Sequence, residues 1–257
     1  MTGVRSSTIV VEGVAFSQFY LVSGDRYVDS LNPNHPEIAV GLCNGSSIGA
    51  MMFTAFRHHG DIQVLVDICD AEPPPLGAEW QDVVELPLYT MGEVRLKGWD
   101  LSPSGTVIDL DPFEEYRVRY AIANGDVAWR ERNNDPGLPF PERYRLQFWR
   151  AEGVLPSVVV QESAAGQYWG FSHDAKVAVP AIIEAAESVA EKPLSEEERL
   201  LAVIDGALGA HPPTAQRIRD GDHLYTKGIH AFVRQLMMSG YDASEVEALI
   251  VERASRS

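Results

Sequence analysis

The sequence predicts an α+β protein, with an N-terminal antiparallel β-sandwich over residues 1–172 and a small helical domain over residues 173–257. Three observations predict it. Short runs rich in β-branched and aromatic residues fill the first two thirds of the chain, with turn residues between them. The last third changes to apolar residues at helical spacing, with Ser and Asp placed as caps. A chain of 257 residues that is 45% hydrophobic can also bury a core without staples.

Taken in order, residues 8–14 (TIVVEGV) and 18–22 (QFYLV) carry strand composition. Residues 50–56 and 62–68 are two further apolar runs. Between them Arg57-His58-His59-Gly60-Asp61 predicts a hairpin, because Gly60 supplies the positive φ of a tight reversal. Strands are also expected at 83–86, 93–97, 107–110, 116–120, 144–149 and 157–160. Residues 93–97 and 116–120 alternate strictly, the pattern of a half-buried strand. Pro73-Pro74-Pro75 and residues 133–139 are loops, since proline gives no N–H to a ladder. From about His173 the pattern turns helical, with Pro180 expected in the first turn of a helix reaching Glu191. Ser195-Glu196-Glu197-Glu198 fits a capping box before Leu200, Leu201, Val203 and Ile204. Residues 224–238 and a segment capped by Asp242 complete the helical part.

Charge is the most informative part of the composition. Lys and Arg number 21 against 37 Asp and Glu, a net of −16, which argues against phosphate-backbone binding. Thirteen acids fall between Asp61 and Glu115 against Arg95 and Lys97 only, so that window carries −11. From Tyr116 to Trp149 six arginines face four acids. No run approaches the roughly 20 apolar residues of a membrane span. The N-terminal residues show no basic stretch followed by an apolar one, so a cytoplasmic location is expected. Cys43 and Cys69 read as small buried hydrophobes.

Gly45-Ser46-Ser47-Ile48-Gly49 matches G-x-S-x-G, but a nucleophile elbow requires a helix after the turn, and a strand is expected there. His58, His59, Asp61 and His35 would serve as metal ligands only if a turn rotated the adjacent histidines to one side. His223 and His230, seven apart, share a helix face without a third ligand. The acids around Asp109, Asp111, Glu114 and Glu115 read as a solvated face. Of the five tryptophans, most belong to core packing and some to an interface. No enzyme activity and no cofactor are expected.

Phe16-Ser17-Gln18-Phe19, Gly45-Ser46-Ser47-Ile48, residues 83–88 (VVELPL), Gly92-Glu93-Val94, Asp109-Leu110 and Glu115-Tyr116-Arg117-Val118 together resemble the ComJ-type competence nuclease-inhibitor family. The resemblance spans about residues 9–123 and implies a β-rich inhibitor of a nuclease, with no catalytic residues to carry over. The helical tail has no counterpart in it. The acidic window points the same way, because a negative surface steers a basic partner into place. The expectation is therefore a non-enzymatic antagonist of a basic partner such as a nuclease toxin. Asp70, Glu72, Glu79, Asp82, Trp99, Asp100, Asp109 and Asp111 are expected to form its partner-binding surface. The alternative is a ligand-binding or assembly-subunit sandwich with a helical docking domain.

Overall fold

A computed structural model of the chain describes residues 3–24, 38–46, 48–101, 104–131, 142–190, 192–237 and 241–256. His35, Ser47 and the loop at 133–139 lie outside them. The chain forms two compact units, Met1–Gly166 and Gln167–Ser257.

The first unit holds strands β1 (Val4–Ala15), β2 (Gln18–Ser23), β3 (Ile38–Ala39), β4 (Cys43–Ser46), β5 (Ala50–Thr54), β6 (His59–Cys69), β7 (Asp82–Tyr89), β8 (Val94–Lys97), β9 (Thr106–Ile108), β10 (Glu115–Ala123), β11 (Arg143–Arg150) and β12 (Ser157–Gln161), and the short helix α1 (Gly125–Glu131). They form one hydrogen-bonded sheet in the order β12-β7-β10-β11-β6-β1-β2-β5-β4-β3, with β8 branching from β2 and β9 from β8. The expected antiparallel sandwich is corrected in two respects. There is one continuous sheet, and β11 runs parallel to β6 (Tyr144 opposite Val64, Phe148 opposite Ile68).

The sheet encloses its core by curling. β2 stands four places from β10 in the order, which a flat sheet would separate by about 19 Å at about 4.8 Å per strand. Yet the Phe19 ring lies 5.8 Å from Tyr120 and 6.3 Å from Tyr144, and Phe53 lies 4.9 Å from Tyr120. Alternation explains the pattern, since Tyr116, Val118, Tyr120 and Ile122 of β10 all face inward and are buried. At one rim an isolated parallel bridge joins Ile48 to Tyr89.

The hairpin expected between β5 and β6 does not form. β1 and β2 stand between them, joined by the two residues Phe16 and Ser17. Pro87 is accommodated inside β7 because β12 has already ended, its last partner being Ser157 opposite Glu85.

The second unit is helical, with α2 (Ala164–Val189) entering it, then α3 (Glu196–Ala210), α4 (Pro213–Arg219), α5 (His223–Met237) and α6 (Ala243–Arg256). Helix starts at Ala164, earlier than the apolar period announces, and Pro180 sits in the interior of α2. Its missing N–H leaves one turn without its hydrogen bond, and the surrounding alanines carry the helix through. Phe171, Ala175 and Val179 of α2 pack with Val203, Ile204 and Ala207 of α3, Ile229 and Val233 of α5, and Ile250 of α6. The capping box is present: the Glu198 N–H donates to Ser195 Oγ (3.2 Å) and the Ser195 N–H to Glu198 Oε2 (2.7 Å).

Candidate binding surface

The thirteen acids of the window do not share one face. Three point inward. Asp67 accepts from Arg145 Nε (2.7 Å), and Glu85 accepts from Arg119 Nε (2.8 Å) with Arg117 3.4 Å away. These arginines belong to the basic stretch that follows the window, so the sign reversal along the chain is partly cancelled across strands. Asp82 is fully buried, its carboxylate on the Ser163 hydroxyl and backbone N–H, and it cannot meet a partner. Burial pushes its carboxyl up to about 6, against the pull of the Ser163 hydrogen bonds and with help from the charge of Asp126.

Asp70, Glu72 and Glu79 are exposed on the segment that crosses the outer face from the end of β6 to the start of β7. Arg119 Nη1 donates to the carbonyls of Pro73 (3.4 Å) and Pro74 (3.0 Å) on this segment, which fixes it to the sheet. Trp80 is packed beneath Arg143 and Arg145. A cavity of about 270 Å³ lies under the arch, walled by Cys69, Pro73, Leu76, Trp80, Arg145 and Gln147.

Asp109 and Asp111 come together with Glu114 and Glu115 at the sheet end where β6, β7 and β11 terminate. Arg5 Nη2 donates to the Asp109 carbonyl (2.7 Å), and Arg150 binds Asp111 (2.8 Å) and Glu114 (3.3 Å). Arg150 holds the Asp111 carboxyl below its ordinary range. Thr90, wholly buried at the end of β7, organises this corner. Its Oγ1 donates to the Asp111 carbonyl (2.7 Å) and accepts from the Glu114 N–H (3.0 Å), while its carbonyl accepts from the Phe113 N–H (2.8 Å). Phe113 is thereby held at φ +62° with its ring 64% exposed. Such a conformation is rare for a bulky residue and persists only where neighbours enforce it.

Beside it runs a groove of about 550 Å³ floored by Ile48, Pro87, Tyr89, Val154, Leu155 and Pro156, with Glu115 in its wall. Leu155 is 78% exposed. An adjoining hollow brings in Phe113, Glu114, Arg150 and Glu152. The arrangement is an apolar floor with a rim of carboxylates and Arg150, which sequence reasoning missed; Asp109 and Asp111 belong to the neighbouring acidic corner. Its apolar members come from the end of β7 and from separate loops, which no periodic pattern connects.

Trp99 and Asp100 lie at the opposite end of the β1·β6 ladder. The Trp99 N–H donates to the Gly13 carbonyl (2.9 Å), and the close approach requires glycine at 98, where a Cβ would lie 2.5 Å from that oxygen. Trp80, Trp129 and Trp149 are buried, whereas Trp99 is 45% exposed and packs on Phe16, with ring centroids 5.6 Å apart. The turn does rotate the adjacent histidines together, with His58 Nδ1 2.5 Å from His59 Nδ1. Among the described residues no three His, Cys, Asp or Glu side chains converge to hold an ion. β4 and β5 form a hairpin around the G-x-S-x-G motif, so strands flank it on both sides. No helix among the described residues is long and apolar enough to cross a membrane.

No family model matches the chain, and no curated protein matches its sequence. Among solved structures it is similar to the crystal structure of ComJ, inhibitor of the DNA degrading activity of NucA, from Bacillus subtilis, with a TM-score of 0.38 and 12% identity over 59% of this chain and 99% of that one. It is likewise similar to a structure described as crocagin biosynthetic gene J, with a TM-score of 0.39 and 9% identity over 57% of this chain and 98% of that one.

Proposed function

We propose that the chain is a non-enzymatic binding protein that antagonises a basic protein partner, a nuclease or toxin being the kind that fits. The observation that supports this reading is the apolar groove at Tyr89, Val154 and Leu155, with Glu115 in its wall and Phe113, Glu114, Glu152 and the Glu114-paired Arg150 lining the hollow that adjoins it. Apolar anchors supply affinity at the centre of an interface, and a charged rim sets association rate and partner choice. The long-range attraction comes from the net charge of −16.

Affinity capture from the native host with the full chain tests it. A basic protein should bind at about 0.05 M salt and leave by about 0.5 M. Leu155→Asp and Phe113→Ala should abolish capture while leaving the unfolding midpoint unchanged. Capture of nothing above background, or of the same proteins by the groove variants, would remove this reading.

A second reading, small-ligand binding, is favoured by the cavity beneath the crossover segment. It requires a ligand that raises the melting temperature and loses that effect in Trp80→Ala.

A further inference from the structure

At the hairpin end of β1 a notch of about 400 Å³ is lined by Glu12, Gly13, Val14 and Ala15 of β1 and by Trp99 and Asp100. We propose that this notch is a receptor for a single organic cation, an alkylammonium or guanidinium group presented by a small molecule or by a lysine or arginine side chain. The inference goes beyond the groove reading and concerns a different place on the unit, since the notch lies at the far end of the β1·β6 ladder.

The walls are complementary to a cation in two ways. An exposed indole attracts positive charge to its ring face, most strongly where part of the water is excluded. Trp99 cannot fold flat onto the protein, because its backbone is held on Gly13 and its ring is backed by Phe16. Phe16 in turn rests on His58 (5.9 Å) and His59 (5.5 Å). Glu12, which lines the notch, accepts through Oε1 from Thr106 Oγ1 (3.1 Å) and N–H (3.4 Å), and these bonds orient its carboxylate. Asp61, opposite Gly13 on β6, adds a third negative charge nearby. Lys97, the neighbouring cation, sets its ammonium on the Leu101 carbonyl (3.5 Å). An aromatic wall with an oriented carboxylate and further negative charge nearby favours a cation over a neutral molecule of the same shape, whereas an apolar patch would accept both.

The experiment is an NMR titration of the full chain, following the indole N–H of Trp99, assigned by its loss in Trp99→Phe. The probes are choline, arginine amide, and the neutral alcohol in which carbon replaces the choline nitrogen. Choline and arginine amide should shift the Trp99 signal saturably, and the neutral alcohol should not. Glu12→Gln keeps an acceptor for Thr106 but removes the charge, and should weaken cation binding about 3-fold with no loss of fold. Equal shifts with the neutral alcohol, no saturable shift with either cation, or undiminished binding in Glu12→Gln would each overturn the proposal. None of these outcomes depends on whether the groove has a protein partner.

Discussion

The Asp82 carboxylate accepts the hydroxyl hydrogen of Ser163, and that same hydroxyl accepts the N–H of Gly166 (2.8 Å), so a buried acid sets the first turn of α2. Asp126 takes the neighbouring N–H groups of Ala164 (3.1 Å) and Ala165 (2.9 Å). Two carboxylates thus meet one helix start, which favours negative charge there. For Asp82 burial dominates all the same and raises its carboxyl to about 6. A carboxyl raised on folding contributes stability that is complete below its unfolded value and is lost as pH rises through its folded value. The protein should therefore gain stability relative to Asp82→Asn as pH falls from about 7.5 to about 4.5, by roughly 1–3 kcal/mol. Urea midpoints of the two proteins against pH check this, and parallel curves would refute it.

Tyr144 and Tyr120 are stacked 6.4 Å apart in the core, but their hydroxyls have opposite tasks. The Tyr144 oxygen accepts the Phe56 N–H (2.9 Å), while the Tyr120 hydroxyl donates to the Thr54 carbonyl (2.9 Å). Removing an acceptor strands a buried N–H, whereas a carbonyl that loses one donor suffers less. Tyr144→Phe should cost about 1–3 kcal/mol and Tyr120→Phe about 0.5–1.5 kcal/mol in denaturant unfolding. The reverse order would show that the Phe56 amide finds another partner.

Phe16 and Ser17 close the β1–β2 hairpin with φ of +54° and +62°, a turn that favours Asn-Gly. Ser17 is also buried, and its Oγ has no hydrogen-bond partner. Glycine would relieve both penalties, offset by a more flexible unfolded chain. Ser17→Gly should stabilise the protein by about 0.5–1 kcal/mol, read as a rise in melting temperature. A fall would mean that the serine hydroxyl has a role in the folded hairpin.

That hairpin also shows where the sequence was legible and where it was not. Strand composition and the Ser195 capping box are local properties, and both appear as expected. The β1–β2 turn has no glycine to announce it, while Gly60 announces a hairpin that topology does not make. Charge density along the chain misled for a related reason. Successive strand residues face opposite ways, so Asp67 and Glu85 turn toward Arg145 and Arg119, partners 78 and 34 residues later. The groove was hidden because Ile48, Tyr89 and Leu155 come to line one hollow only when the sheet curls until Ile48 bridges Tyr89.

Thr90 offers the sharpest separation of fold from function. Its hydroxyl ties the Asp111 carbonyl to the Glu114 N–H, and these two bonds hold Phe113 in its left-handed conformation above the groove. Valine has the same shape without the hydroxyl, so Thr90→Val leaves two partly buried backbone groups unpaired. The expected loss of stability is about 1–3 kcal/mol, which a cooperative domain of this size should survive. With the clamp gone, the strain at Phe113 can relax and the ring need no longer line the hollow that adjoins the groove. Thr90→Val should then bind the captured partner as weakly as Phe113→Ala, although every groove side chain is still present. Phe113→Gly separates the two effects, since glycine adopts positive φ freely; it should match the binding loss while being at least as stable as Phe113→Ala. Full binding by a folded Thr90→Val protein would show that the posture of Phe113 is irrelevant to recognition.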